Sequence, residues 1–158
     1  MKPLDFVIIG AQKAGTTSLF QYLRQHPDVY MPPEKEVPFF CRDQLYEMGW
    51  ERFGGEYFSS APTGSRWGTA SPQYMADPRV PTRIHKAMPK VRLIAILRNP
   101  VDRAYSHFTM SVRRGIEKRA FGQAIESSMD ATNDRYFRSS IPPDYAEGYD
   151  RFDRDVAG

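Results

Sequence analysis

The chain has 158 residues, of which 41% are hydrophobic and 26% charged, values that fit one globular domain and exclude a wholly disordered chain. Its 22 basic and 19 acidic residues leave a net charge of +3, which suits an anionic ligand without requiring nucleic acid. A lone cysteine, Cys41, excludes an internal disulfide framework, and the scattered His26, His85 and His107 offer no zinc cluster.

Leu4 to Ile9 is apolar apart from Asp5 and rich in β-branched residues, the signature of a short buried strand. Gly10 to Gly15 is a loop of mostly small residues. Thr16 to His26 places Leu19, Phe20 and Leu23 at helical spacing, and Pro27 stops the helix. Pro-rich and aromatic segments follow. Val80, Ile84 and Met88 then recur at intervals of four in a helix expected over 76–88. Arg92 to Leu97 is a second buried-strand candidate, ended by Asn99-Pro100. Val101, Ala104, Tyr105, Phe108 and Val112 mark an amphipathic helix over 101–114. Phe121 to Met129 forms one further short helix. From Ser139 the chain is rich in Pro, Asp and Gly and shows no third buried strand.

Strands alternating with helices predict an α/β fold, a parallel sheet flanked by helices in three α/β/α layers and incomplete at its C-terminal end. Residues 1–158 are expected to form one partial domain. Two or three strands would leave one sheet face poorly covered, so exposed apolar surface or a homodimer partner is expected. No apolar run reaches the ~20 residues of a membrane span. Residues 1–10 lack the length and cleavage site of a signal peptide. The expected setting is therefore cytoplasmic, with no membrane and no nucleic-acid partner.

The segment Gly10-Ala11-Gln12-Lys13-Ala14-Gly15-Thr16-Thr17 joins the first strand to the first helix. Small residues let backbone N–H groups approach a ligand, and the helix start adds free N–H groups and the positive end of its dipole. Lys13 supplies a full charge, and Thr16, Thr17 and Ser18 supply hydroxyls. Together they suit a phosphate, so the sheet is of the P-loop type. Gly10 and Gly15 stand where the Walker pattern G-x-x-x-x-G-K-[ST] has its glycines. Thr16, however, occupies the Walker lysine position, and the lysine lies inside the loop. A standard nucleoside triphosphatase is disfavoured; an ordinary strand–helix turn with a surface lysine is the alternative, and the strand before, the helix after and Lys-x-Gly-Thr-Thr inside weigh against it.

Arg98 falls at the carboxyl end of the second strand, where open α/β sheets bind ligands. Ser106 follows two turns into the next helix. Such an arginine and serine can grip a second phosphate; taken alone, the segment reads rather as an Arg–Asp surface pair and a solvent-facing serine.

Together, Phe6-Val-Ile-Ile-Gly-Ala-Gln-Lys-Ala-Gly-Thr-Thr-Ser-Leu-Phe and Arg92-Leu-Ile-Ala-Ile-Leu-Arg-Asn-Pro-Val-Asp-Arg-Ala-Tyr-Ser-His resemble the 5′-phosphosulfate and 3′-phosphate loops of the sulfotransferase family, in particular its carbohydrate (heparan-sulfate-type) and bacterial branch. His26-Pro27-Asp28-Val29 and Lys35-Glu36-Val37-Pro38-Phe39-Phe40 are similar to two further family segments. The likeness covers roughly residues 5–125. It implies 3′-phosphoadenosine 5′-phosphosulfate as donor, a hydroxyl or amine acceptor on a carbohydrate or other small molecule, and no metal. It places the catalytic base at Glu36, in preference to Glu34. Lys13 would neutralise the bridging oxygen, and the N–H groups of Ala14, Gly15, Thr16 and Thr17 with the nearby hydroxyls would hold the 5′-phosphate. Arg98 and Ser106 would fix the 3′-phosphate.

Two departures from the family stand out. Gly68-Thr69-Ala70-Ser71-Pro72-Gln73-Tyr74 has Thr69 and Ala70 where relatives carry an acid and, in the animal enzymes, a lysine. Family domains are also longer, with a later loop closing over the nucleotide. Tyr145 to Tyr149 resembles the start of an acceptor-side helix, so the chain looks truncated. The competing readings are a P-loop small-molecule kinase, against which stands the displaced lysine, and a non-catalytic nucleotide-binding fragment. His107 is a rival base, but its helical phase differs from that of Ser106 by ~100°. Cys41 reads as a small buried hydrophobe. Trp50, Phe53, Tyr57 and Phe58 suit either the core or an acceptor groove.

Overall fold

A continuous apolar strand, β1 (Phe6–Gly10), lies inside a parallel sheet of order β2-β3-β1-β4, with β2 at Val29–Tyr30, β3 at Arg66–Ala70 and β4 at Arg92–Ala95. The computed structural model describes residues 1–129. Tyr145 to Tyr149 and the segment from Ser139 lie outside them. The chain divides into two compact units, Met1–Arg103 and Ala104–Gly158.

In the first unit, β1 pairs with β3 (Phe6 with Gly68, Val7 with Thr69, Ile8 with Ala70) and with β4 (Phe6 with Arg92, Ile8 with Ile94). Side chains alternate across the pleat. Val7 enters a core with Phe53, Tyr57 and Phe58 of α3 (Trp50–Phe58) and with Val80 and Ile84 of α4 (Val80–Ala87). Phe6 and Ile8 enter another with Phe20 of α1 (Thr16–Arg24). Burial on both faces is why β1 reads as an unbroken apolar run. These are the expected α/β/α layers, with one more strand than the largest number expected from the sequence.

The additional strands follow from their neighbours. A Cβ on Gly68 would lie 2.1 Å from the Phe6 ring, so β3 is apolar only where the ring leaves room and carries no hydrophobic run. Asp5, the polar interruption before β1, secures the start of the pairing: its carboxylate accepts the Trp67 backbone N–H at 2.7 Å and the Lys2 ammonium at 2.9 Å. β2 has two residues and no periodicity to read. A short helix, α2 (Asp43–Glu47), precedes α3.

Boundaries shift for local reasons. α1 ends at Arg24 rather than at His26, because the Gln25 and His26 N–H groups bond to Tyr22 and Leu23 three residues back. α4 starts later than expected. A 3-10 turn, Pro72–Met75, and an Asp77 turn accepting the Arg79 N–H at 2.9 Å occupy the preceding residues. Phe53, Tyr57 and Phe58 are buried and Trp50 packs against them, so these aromatics form core and not an acceptor groove. Leu93, Leu97 and Val101 are exposed. Some exposed apolar surface is expected from the sequence, but 92–97 reads there as a buried strand; β4 instead ends at Ala95 and pairs, among the described strands, only with β1.

α5 (Pro100–Arg113) begins in the first unit and continues into the second. Within the second unit, Phe121 of α6 (Phe121–Met129) packs edge-on to Tyr105 and Phe108, with ring centroids 5.3 and 5.2 Å apart. Among the described residues no helix is long and apolar enough to cross a membrane, and no group of three or more His, Cys, Asp or Glu side chains could hold a metal ion.

Candidate functional site

The chain leaves β1 toward α1 on one face of the sheet and leaves β3 toward α4 on the other. This divergence at the carboxyl edge is the switch point at which open parallel sheets bind ligands. Three segments end there: the Gly10–Gly15 loop, the Glu36 segment and the turn after β3.

The loop is shaped by its backbone. Gly15 caps α1 in the left-handed region (φ 107°), with no side chain capping the helix start. The first-turn N–H groups, which have no acceptor within a helix, are therefore presented to the loop. Ala14 differs: its N–H donates to the Ala11 carbonyl at 3.1 Å and closes a turn. Thr16 is buried, while Thr17 and Ser18 are exposed beside it. A Cβ on Gly10 would lie 2.9 Å from the Cβ of Met75, so the chain can leave the sheet beneath the turn after β3 only with glycine there.

Arg98 reaches this loop. Its guanidinium donates to the Lys13 carbonyl at 3.2 Å. The backbones interlock as well, Ile96 N–H to Gly10 carbonyl and Ala11 N–H to Ile96 carbonyl, each at 2.8 Å. Two motifs far apart in sequence thus form one basic, donor-rich edge. Ser106 lies on the part of α5 that belongs to the second unit, and only the sequence likeness assigns it to the site.

Glu36 is held from several sides. Its N–H donates to the Ala70 carbonyl at the end of β3, at 2.8 Å. Its carboxylate pairs with the Lys35 ammonium and accepts the Gln73 side-chain amide at 3.0 Å. Neighbouring residues in extended chain point to opposite sides. Lys35 and Glu36 meet because Glu36 is left-handed, with φ 71°. Lys13, at φ 68°, is the other non-glycine residue with positive φ among those described. Such conformations cost about 1–3 kcal/mol each and gather at functional sites.

The carbonyls after Glu36 are gripped in turn. Tyr74 Oη donates to Val37 at 2.5 Å, Arg83 to Phe40 at 3.1 Å and Arg79 to Cys41 at 2.6 Å. Asp77 and Asp43 hold the two arginines. Burial works against the Asp77 charge, but hydrogen bonds from Arg79 outweigh it and keep that carboxyl below its ordinary range. Burial pushes the Cys41 thiol up to about 12, which makes it a poor nucleophile. Sequence reasoning missed Gln73, Tyr74, Arg79 and Arg83. The Ser-Pro-Gln-Tyr run was visible, but nothing in it shows that it faces Glu36.

Residues 3–150 match the family model described as a sulfotransferase domain. The chain belongs to the sulfotransferase family. A sulfotransferase structure from Alicyclobacillus acidocaldarius superposes with a TM-score of 0.72 at 31% identity, over 87% of this chain and 64% of that one. The human heparan sulfate glucosamine 3-O-sulfotransferase 6 is 34% identical over 110 residues, 68% of this chain. A membrane-associated sulfotransferase of Dictyostelium discoideum is 30% identical over 109 residues, 69% of this chain. The chain spans only 30% and 23% of these two relatives' lengths. Family membership sets the kinase reading aside.

Proposed function

We propose that this sulfotransferase moves a sulfuryl group from 3′-phosphoadenosine 5′-phosphosulfate to a hydroxyl or amine, with Glu36 as base and Lys13 as the charge-neutralising group. On this reading residues 1–158 make up one partial sulfotransferase domain. The observation that carries it is the backbone: Lys13 and Glu36, singled out from sequence, are the two left-handed non-glycine residues described. Strain at such positions persists where the surrounding structure fixes it for function.

The donor supplies an activated sulfuryl group whose leaving group is a 5′-phosphate. The Thr16 and Thr17 N–H groups and the Thr17 and Ser18 hydroxyls at the α1 start suit that phosphate, together with the helix dipole. Arg98 and Ser106 would hold the 3′-phosphate, as a fixed guanidinium fork and a hydroxyl can. Glu36 receives the proton of the attacking hydroxyl or amine. The new bond forms from that atom to sulfur as the bond from sulfur to the bridging oxygen breaks, and the electron pair leaves on the phosphate, by analogy with in-line phosphoryl transfer. Lys13 offsets the charge growing there. Glucosamine-containing carbohydrate is the proposed acceptor class, since relatives are named as heparan sulfate glucosamine 3-O-sulfotransferases and as an N-deacetylase/N-sulfotransferase.

Calorimetric titration with adenosine 3′,5′-bisphosphate tests the donor assignment. Micromolar binding is expected, with 5′-AMP and ATP much weaker, and a loss of about ten- to hundredfold in Arg98→Ala. A folded chain that binds none of them, or that does not distinguish the 3′-phosphate, overturns the assignment.

A further inference from the structure

We infer that Gln73 is a positioning residue for the Glu36 carboxylate, aimed by the buried Ser71; this rests on Glu36 being the base. Gln73 sits on the turn directly after β3. Its Nε2 donates to Glu36 Oε2 at 3.0 Å, and its Oε1 accepts from Ser71 Oγ at 2.8 Å.

The direction of the amide follows from this chain of bonds. Reversing it would set its oxygen against a carboxylate oxygen, two acceptors face to face. Ser71 has no solvent exposure, so its hydroxyl needs a partner within the protein, and Gln73 Oε1 provides one. Ser71 is itself fixed to the sheet, its N–H donating to the Ile8 carbonyl at 3.0 Å. β1 and β3 therefore set the position of the Glu36 carboxylate through two side chains.

The Lys35 ammonium holds the other oxygen, Oε1. Without Gln73 the carboxylate answers to Lys35 alone and swings toward a residue on its own strand of chain. With both contacts in place each oxygen keeps one lone pair, and the half-buried side chain remains open to a ligand. Small displacements of a base cost rate more than they cost binding.

Gln73→Met keeps the length and removes the donor. In the 158-residue chain, with the phosphosulfate donor and a desulfated heparan oligosaccharide as acceptor, it should lower kcat by about ten- to hundredfold. Donor KM and adenosine 3′,5′-bisphosphate affinity should stay within about twofold. Ser71→Ala should lower kcat less and add almost nothing in the Gln73→Met background, since both act through one contact. A structural role would instead lower thermal stability and move KM with kcat.

A second readout needs no turnover. In the isotope-labelled chain the Gln73 side-chain amide resonances, assigned by their loss in Gln73→Met, should move on Glu36→Gln. Unmoved resonances, or an unchanged kcat in Gln73→Met, overturn the inference. If wild type transfers no sulfuryl group, the proposed function fails, and the resonances alone decide whether Gln73 holds Glu36.

Discussion

The two strand–loop–helix segments of this sulfotransferase, β1 with α1 and β4 with α5, are written in similar residues and sit in different surroundings. Val7 and Ile8 have no exposure, whereas Leu93 is 53% and Leu97 78% exposed. β1 is paired on both edges and packed on both faces. Among the described strands β4 pairs only with β1, and α5 buries no residue fully. An apolar run therefore states that a strand can be buried; pairing on the second edge and a helix on each face decide whether it is. The same contrast runs through the site. Glu36 bonds through its N–H to the buried end of β3, whereas the Lys13 loop is joined to the exposed side, where Ile96 exchanges backbone bonds with Gly10 and Ala11 and Arg98 donates to the Lys13 carbonyl.

The most direct way to break the contrast is in the core. Phe20→Ala, at a residue 1% exposed beneath β1, should lower unfolding free energy by about 3–5 kcal/mol in chemical denaturation. Equal losses from Leu93→Ala would show the two strands to be alike. Lys13→Ala should lose ~2–4 kcal/mol of transition-state stabilisation, read as kcat/KM, with little change in unfolding. Activity within about threefold of wild type would remove Lys13 from the mechanism.

The anchor of the Glu36 segment should respond to acid. The Asp77 carboxyl is held below its ordinary value in the folded chain. Its contribution is then fully present above the unfolded pKa of about 3.9 and is lost as pH falls through the lower folded value. Asp77→Asn should flatten that part of the acid-unfolding curve, and a curve parallel to wild type below pH ~4 would count against it. The smallest effect belongs to the exposed strand: Leu93→Ala should change unfolding free energy by less than about 1 kcal/mol.

Much of the fold was legible locally. The β1 run, the start of α1, the helical spacing in α5 and the limits of α6 needed only neighbours in sequence. β3 was not, because Phe6 crowds out side chains at Gly68 and leaves a strand with no apolar signal. Lys13, Glu36 and Arg98 were named from the sequence. That Arg98 touches the Lys13 carbonyl, and that Gln73 touches Glu36, could not be.

The sequence by itself determined the strand–helix alternation, the small-residue loop with its displaced lysine and the family likeness, since each rests on spacing along the chain. Tertiary structure alone decided that β1 is central and β4 exposed, that the aromatics of α3 are core, and that Ser71, Gln73, Tyr74, Arg79 and Arg83 hold the Glu36 segment. Those are matters of pairing and side-chain reach between residues distant in sequence, and no local periodicity encodes them.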